Sequence, residues 1–230
     1  MIQAARSRRA PAGASYRVTQ VSGALATVTG GQAGTVSSAL FGWQWISTGI
    51  PATATYKQTG FSTSMVPLVC MITQVEVNLV LTTAPATAAD LSMGLVFVSN
   101  YSALGTGGTI ATFTASSQRF DTNYPLTNFA STTAFPNGNG AIQIATTANL
   151  GTLTGTVDLY PYRTWNGFTN TVGLGVIEPF AFEMGNDPNS QALWIRNGNG
   201  FVIQPLTAWA TVVANLYVTV EWIEMSSNYT

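Results

Sequence analysis

The sequence predicts an all-β protein, an antiparallel β-sandwich of about eight to ten strands. Two observations carry that prediction. Apolar residues in the long segments recur at period two, and no segment holds a helical period for more than about two turns. Short clusters of Gly, Asn and Pro punctuate the chain between those segments and read as turns.

The clearest element is the last. In residues 211–225, Leu216, Val218, Val220 and Trp222 fall on one side, with Tyr217, Thr219, Glu221 and Ile223 on the other. One face is buried and the other mostly wet. A strand this apolar needs neighbours on both edges and a second layer over its Leu/Val/Trp face, so it is expected at the centre of a sheet.

Earlier in the chain, residues 1–16 show neither period and read as a flexible basic arm, ahead of one β-sandwich domain over 17–225 and a tail at 226–230. Residues 17–40 read as an irregular, surface-hugging lead-in; Tyr16/Val18, Val21 and Leu25/Val28 could form short extended pieces broken by Gly23, Gly30, Gly31 and Gly34. Phe41, Trp43 and Trp45 alternate with Gly42 and Gln44. They form either a strand whose aromatic face caps the core or a ligand platform, since stacked aromatics bind sugars and bases. A loop follows around Gly49, Pro51 and Gly60. From Gln74, Val75, Val77, Leu79 and Leu81 point inward, and Gln74, Glu76, Asn78 and Val80 outward. A second strand spans 91–98. The connection between these two is too short for a parallel crossover, so antiparallel pairing or a step from sheet to sheet is expected.

A short strand at 109–114 precedes a long weakly patterned region, 116–139; loops of that size usually have a function or a partner. Residues 141–147 and 152–160 are strands, with Leu153, Val157 and Leu159 on one face of the second. Residues 161–170 form an aromatic loop carrying Tyr162, Arg163, Trp165 and Phe168. Residues 171–184 are a strand pair or a strand bent at Pro179. Arg196-Asn197-Gly198-Asn199-Gly200 between apolar flanks reads as a hairpin.

Composition bears on function. The chain has 230 residues, 46% hydrophobic, and only 7% are charged, against about 25% in an average soluble chain. Its surface is therefore polar but nearly uncharged, where a free monomer ordinarily keeps more charge for solubility. Sister copies covering that surface would account for it; so would an extracellular Thr/Asn surface. Charge is also uneven. Arg6, Arg8, Arg9 and Arg17 lie at the start, and the four remaining basic residues against nine acids leave −5 on the rest. Three roles stay open for the arm: contact with nucleic acid, where each neutralised phosphate adds a salt-dependent increment, docking on a neighbouring subunit, or neither.

Catalytic chemistry finds little support. Histidine is absent and Cys70 is the one cysteine, which removes His-based dyads, a zinc site and an internal disulfide. Gly105-Thr106-Gly107-Gly108 lacks the Lys-Ser/Thr ending of a phosphate loop and reads as a turn. The carboxylate pairs Glu178/Glu183 and Glu221/Glu224 are at odd spacings, which places the members on opposite faces of a regular strand. The expectation is a protein that is not an enzyme, with no cofactor and no metal.

Taken together, Arg6-Ser7-Arg8-Arg9, about eight strands with long loops, and the closing strand at 216–224 resemble the single jelly-roll capsid proteins of small icosahedral viruses, including phages. The resemblance implies a jelly-roll β-sandwich that forms a shell wall, located in the virion. It implies loops that contact neighbouring subunits and termini that tie copies together. Its partners would be other copies of itself, as a pentamer, hexamer, trimer or shell, with weak genome contact through the arm and contact with other virion proteins. The arm departs from the strongly basic arms of many RNA-virus coats, so an outer shell or decoration subunit is also compatible. On this reading Arg6, Arg8, Arg9 and Arg17 are the arm's contact residues, and Trp43, Trp45, Tyr162, Trp165 and Phe168 are interface or ligand aromatics. The alternative is a carbohydrate- or receptor-binding β-sandwich that uses the same aromatics as platforms.

Overall fold

The computed structural model describes residues 14–30, 38–45, 69–83, 89–103, 105–111, 141–169, 176–183, 193–196, 198–209 and 212–225. These residues form fourteen strand segments and no α-helix: β1 (Ala14–Val21), β2 (Phe41–Trp45), β3 (Val69–Thr83), β4 (Ala89–Asp90), β5 (Met93–Ala103), β6 (Gly108–Ile110), β7 (Ala141–Ala145), β8 (Thr154–Val157), β9 (Arg163–Trp165), β10 (Phe168–Thr169), β11 (Val176–Glu183), β12 (Leu193–Arg196), β13 (Asn199–Pro205) and β14 (Val213–Met225).

Two antiparallel sheets contain nearly all of them. The first runs β1-β14-β3, with β11 and β12 end to end along the far edge of β3. The second runs β6-β7-β2-β13-β5, with β8 and β9 along the far edge of β5. When β8 with β9 and β11 with β12 each count as one interrupted strand, eight ladder positions emerge. In chain order they run 1-8-3-6 in the first sheet and 2-7-4-5 in the second. The chain steps from sheet to sheet at every connection between positions except the fourth to the fifth. This is a jelly roll, two interleaved Greek keys closed into a double sheet. The remaining segments are accessories: β6 and β7 widen the second sheet, and β4 pairs with β10.

The closing strand sits where its apolar pattern demands. β14 pairs with β1 on one edge and β3 on the other. Leu216, Val218, Val220 and Trp222 are fully buried. They oppose Leu79, Val77, Val75 and Ile72 of β3. Aromatic rings bridge the two sheets. Trp222 stacks on Tyr16 at 5.7 Å and meets Trp43 edge-on at 6.3 Å, and Trp43 stacks on Phe201 at 5.6 Å. Each such ring stabilises by removing its large apolar surface from water, with an added increment of about 0.5–1.5 kcal/mol from pair geometry.

The two sheets differ in how they are covered. The first has one wet face. Arg17 and Thr19 are exposed, and Glu76, Asn78, Asn215, Tyr217 and Glu221 are half-buried. The second is covered on both faces. Behind its core-facing aromatics lie Gly42, Gln44, Gln143, Gly200 and Gln204, all buried; Tyr101 lies over Gly42 and Gly200, Leu150 over Gly42, and Pro161 over Gly94. The glutamines fasten this cover: Gln44 Nε2 donates to the Tyr101 carbonyl, and Gln143 Nε2 donates to the Gly105 carbonyl at 2.7 Å. Glycine is required beneath it, because a Cβ on Gly200 would lie 2.1 Å from the Trp43 carbonyl oxygen.

Several expectations need correction. Residues 14–16, read as part of the arm, belong to β1, which also takes residues 17–21 from the start of the lead-in. Tyr16 and Val18 reach the core there. The aromatic loop at 161–170 contains β9 and β10. β12 and β13 are not a hairpin: they lie in different sheets, joined by a corner at Gly198, whose φ of 78° favours glycine. The fourteen segments fill eight ladder positions, in line with the eight to ten strands expected; interruptions split two edge strands, and β4, β6, β7 and β10 are accessories. β11 is the bent strand expected around Pro179, with a register shift between Ile177 and Phe180. Residues 1–13, 46–68, 112–140 and 226–230, which include the other arm positions, the first loop, the long weakly patterned region and the tail, lie outside the described residues.

Candidate functional site

The expected aromatics divide sharply by position. Trp43 and Trp45 are fully buried and stack on each other at 6.3 Å. They face the opposite sheet, so their reading as interface or ligand aromatics is corrected to core. The alternation that aligned them is the alternation that buries them. Trp165, on β9, is 7% exposed and also part of the core. Tyr162 is half-buried, and the Arg163 guanidinium carbon lies 5.6 Å from its ring centroid, a cation–π contact. Phe168 lies on β10, and its side chain is outside the description. The structure thus brings Tyr162 and Arg163 together and places the two β2 tryptophans elsewhere.

Arg17 is the one arm residue within the described chain. It stands half-exposed on the wet face of the first sheet, its Nε 3.6 Å from Oε1 of Glu221 across the β1–β14 ladder. A surface pair of this kind contributes about 0–1 kcal/mol. Arg6, Arg8 and Arg9 lie outside the described residues.

Glu221 and Glu224 do not converge, and the side chains of Glu178 and Glu183 lie outside the description. Glu221 faces outward, and Glu224 is buried and accepts a hydrogen bond from Trp222 Nε1 at 3.1 Å. The odd spacing sends them to opposite faces, as the strand period requires. Glu224 lies opposite Cys70; burial first, and the Glu224 charge second, push the Cys70 thiol well above its ordinary pKa. A thiol so held is a packed hydrophobe rather than a nucleophile. Among the described residues no three His, Cys, Asp or Glu side chains gather as a metal site, and no helix is long and apolar enough to cross a membrane.

The exposed apolar surface lies where sequence reasoning did not place it. Four large hydrophobic side chains stand out among the described residues: Tyr160 at 77%, Leu159 at 56%, Val21 at 49% and Trp194 at 42% exposure. Alternation alone puts Leu159 on the buried face with Leu153 and Val157. The ladder explains the difference. Asp158 N donates to the Phe97 carbonyl at 2.9 Å, and Tyr162 N donates to the Leu95 carbonyl at 2.8 Å. The acceptors are two residues apart on β5 and the donors four apart, so the edge strand carries extra residues as a bulge. Pro161 turns back against Gly94, and Leu159 and Tyr160 are extruded as a knob pinned at both ends. The parity break at Asp158 had one signal in the sequence, the proline directly after Tyr160.

No family model matches the chain, and no curated protein matches it. Among solved structures, the chain is similar to the unassembled KI polyomavirus VP1 pentamer. The similarity covers 95% of this chain and 97% of that one, at 10% identity and a TM-score of 0.32. The strand order by itself defines the jelly roll.

Proposed function

We propose that this protein is a structural shell subunit that assembles with copies of itself, as a capsid or outer-shell component of a virion. The observation that carries the reading is a jelly-roll wall bearing few charges. The 230-residue chain has eight basic and nine acidic side chains, and its described surface also holds a rigid apolar knob. Low subunit charge limits repulsion when many copies crowd together, and pinned aromatic anchors are what interfaces use. The role is structural rather than catalytic. Weak genome contact through Arg6, Arg8 and Arg9 belongs to the same proposal, as does contact with other virion proteins. Burial of Trp43, Trp45 and Trp165 takes away most of the platform on which a carbohydrate-binding alternative depends. Negative-stain microscopy of the concentrated protein tests the reading. Rings, capsomers or closed shells are expected, and a field of uniform single particles would overturn it.

A further inference from the structure

We infer that the knob at Leu159 and Tyr160 docks on the wet face of the first sheet of a second copy, over the stripe formed by Trp194 and Met71. This rests on the assembly reading and names the surfaces that assembly would use. Trp194 of β12 lies directly opposite Met71 of β3, and Met71 lies opposite Ile223 of β14. The three side chains therefore share one face; Ile223, at 8% exposure, is buried, so the accessible stripe is Trp194 with Met71. Trp194 is 42% exposed and Met71 half-buried. Trp194 is the bulkiest exposed apolar side chain on this sheet face, which also exposes Val21 at its other end, and the knob holds the remaining two. Exposing knob and stripe in one chain is costly unless each is covered.

Charge complementarity selects the pairing. Asp158, exposed, sits at the base of the knob. Arg196, exposed, lies two residues beyond Trp194 on the same face of β12. Neither has an ion-pair partner among the described residues, whereas Arg17 on the same sheet face is already bridged to Glu221. Seating Tyr160 and Leu159 on the stripe brings the unpaired carboxylate toward the unpaired guanidinium. The knob also needs little ordering on binding, because backbone hydrogen bonds to Phe97 and Leu95 fix both its ends. Its extruded shape fits a protein surface better than a sugar, which needs a ring face lining a concavity.

The test is a charge swap read by sedimentation velocity at low ionic strength, where such pairs are least screened. Asp158→Arg and Arg196→Asp each place like charges at the contact and are expected to weaken self-association by about tenfold or more, as close interfacial charge pairs do. The chain carrying both changes restores the opposite-sign pair and is expected to recover association. Both positions are exposed, so folding is preserved. Tyr160→Ser is expected to weaken association without rescue by either. If the unaltered protein assembles but neither reversal matters, or the double variant fails to recover, the contact is overturned and the assembly reading stands. If the unaltered protein never assembles, both fall.

Discussion

Tyr101 shows how closely the second sheet's outer layer is packed. Its hydroxyl would lie 2.5 Å from a Cβ on Gly42 and has no hydrogen-bond partner among the described residues. Burial pushes its ionisation well above the ordinary range. Gly42→Ala is therefore expected to destabilise by about 1–3 kcal/mol. Tyr101→Phe removes the clashing atom and an unsatisfied polar group and is expected to be close to neutral. Denaturant unfolding of both singles and the double checks this: the cost of Gly42→Ala should shrink in a chain that already carries Tyr101→Phe. Equal cost in both would show that the hydroxyl is not what the alanine meets. Asp90 gives a pH signature. Hydrogen bonds from the Ser92 hydroxyl at 2.5 Å and its amide at 2.8 Å hold the carboxyl below its usual pKa. A carboxyl depressed in the folded state contributes stability above its unfolded value of about 4, lost as pH falls through the folded value. Asp90→Asn should remove that part of the acid-side decline, measurable as thermal midpoints between neutral and acid pH. Gly42 and Gln44 were legible as the face opposite the tryptophans. That this face is buried as well was not, because the cover arrives from residues far along the chain.

At the scale of elements, long strands with strict alternation were legible and interrupted ones were not. The period in β3 and β14 identified every inward residue from Val75 to Leu81 and from Leu216 to Trp222. β1 was legible only as short extended pieces at Tyr16/Val18 and Val21, because Arg17 and Thr19 dilute its apolar content and the third inward position is the polar Gln20. Neighbouring side chains on β1 give a direct test. Tyr16→Ala removes a fully buried ring stacked on Trp222 and should destabilise by about 3–5 kcal/mol. Arg17→Ala loses an exposed pair and should cost about 1 kcal/mol or less. Similar small losses in both would mean that β1 does not complete the sheet. The β8–β9 bulge escaped for a different reason. Alternation assumes one residue per ladder step, and extra residues between the Asp158 and Tyr162 hydrogen bonds move Leu159 from the expected buried face to solvent. Likewise, Asn-Gly spacing suggests a hairpin at 196–200, but a corner between sheets uses the same turn chemistry.

For the whole molecule, composition and pattern lead to a β-sandwich, while the 1-8-3-6 and 2-7-4-5 orders depend on pairings such as Tyr16 with Trp222 that no local signal encodes. The candidate surface was legible only in outline. Sparse charge points to covered surfaces, but the tryptophans expected to line them hold the core, and the exposed large apolar groups among the described residues are Val21, Leu159, Tyr160 and Trp194. A jelly roll hosts many roles, so the assembly claim is decided in solution. Sedimentation velocity of the purified chain over a wide concentration range is the most direct measurement. The account predicts conversion of the 24.2 kDa subunit into discrete larger particles as concentration rises. A single boundary at the subunit mass across the whole range would contradict it.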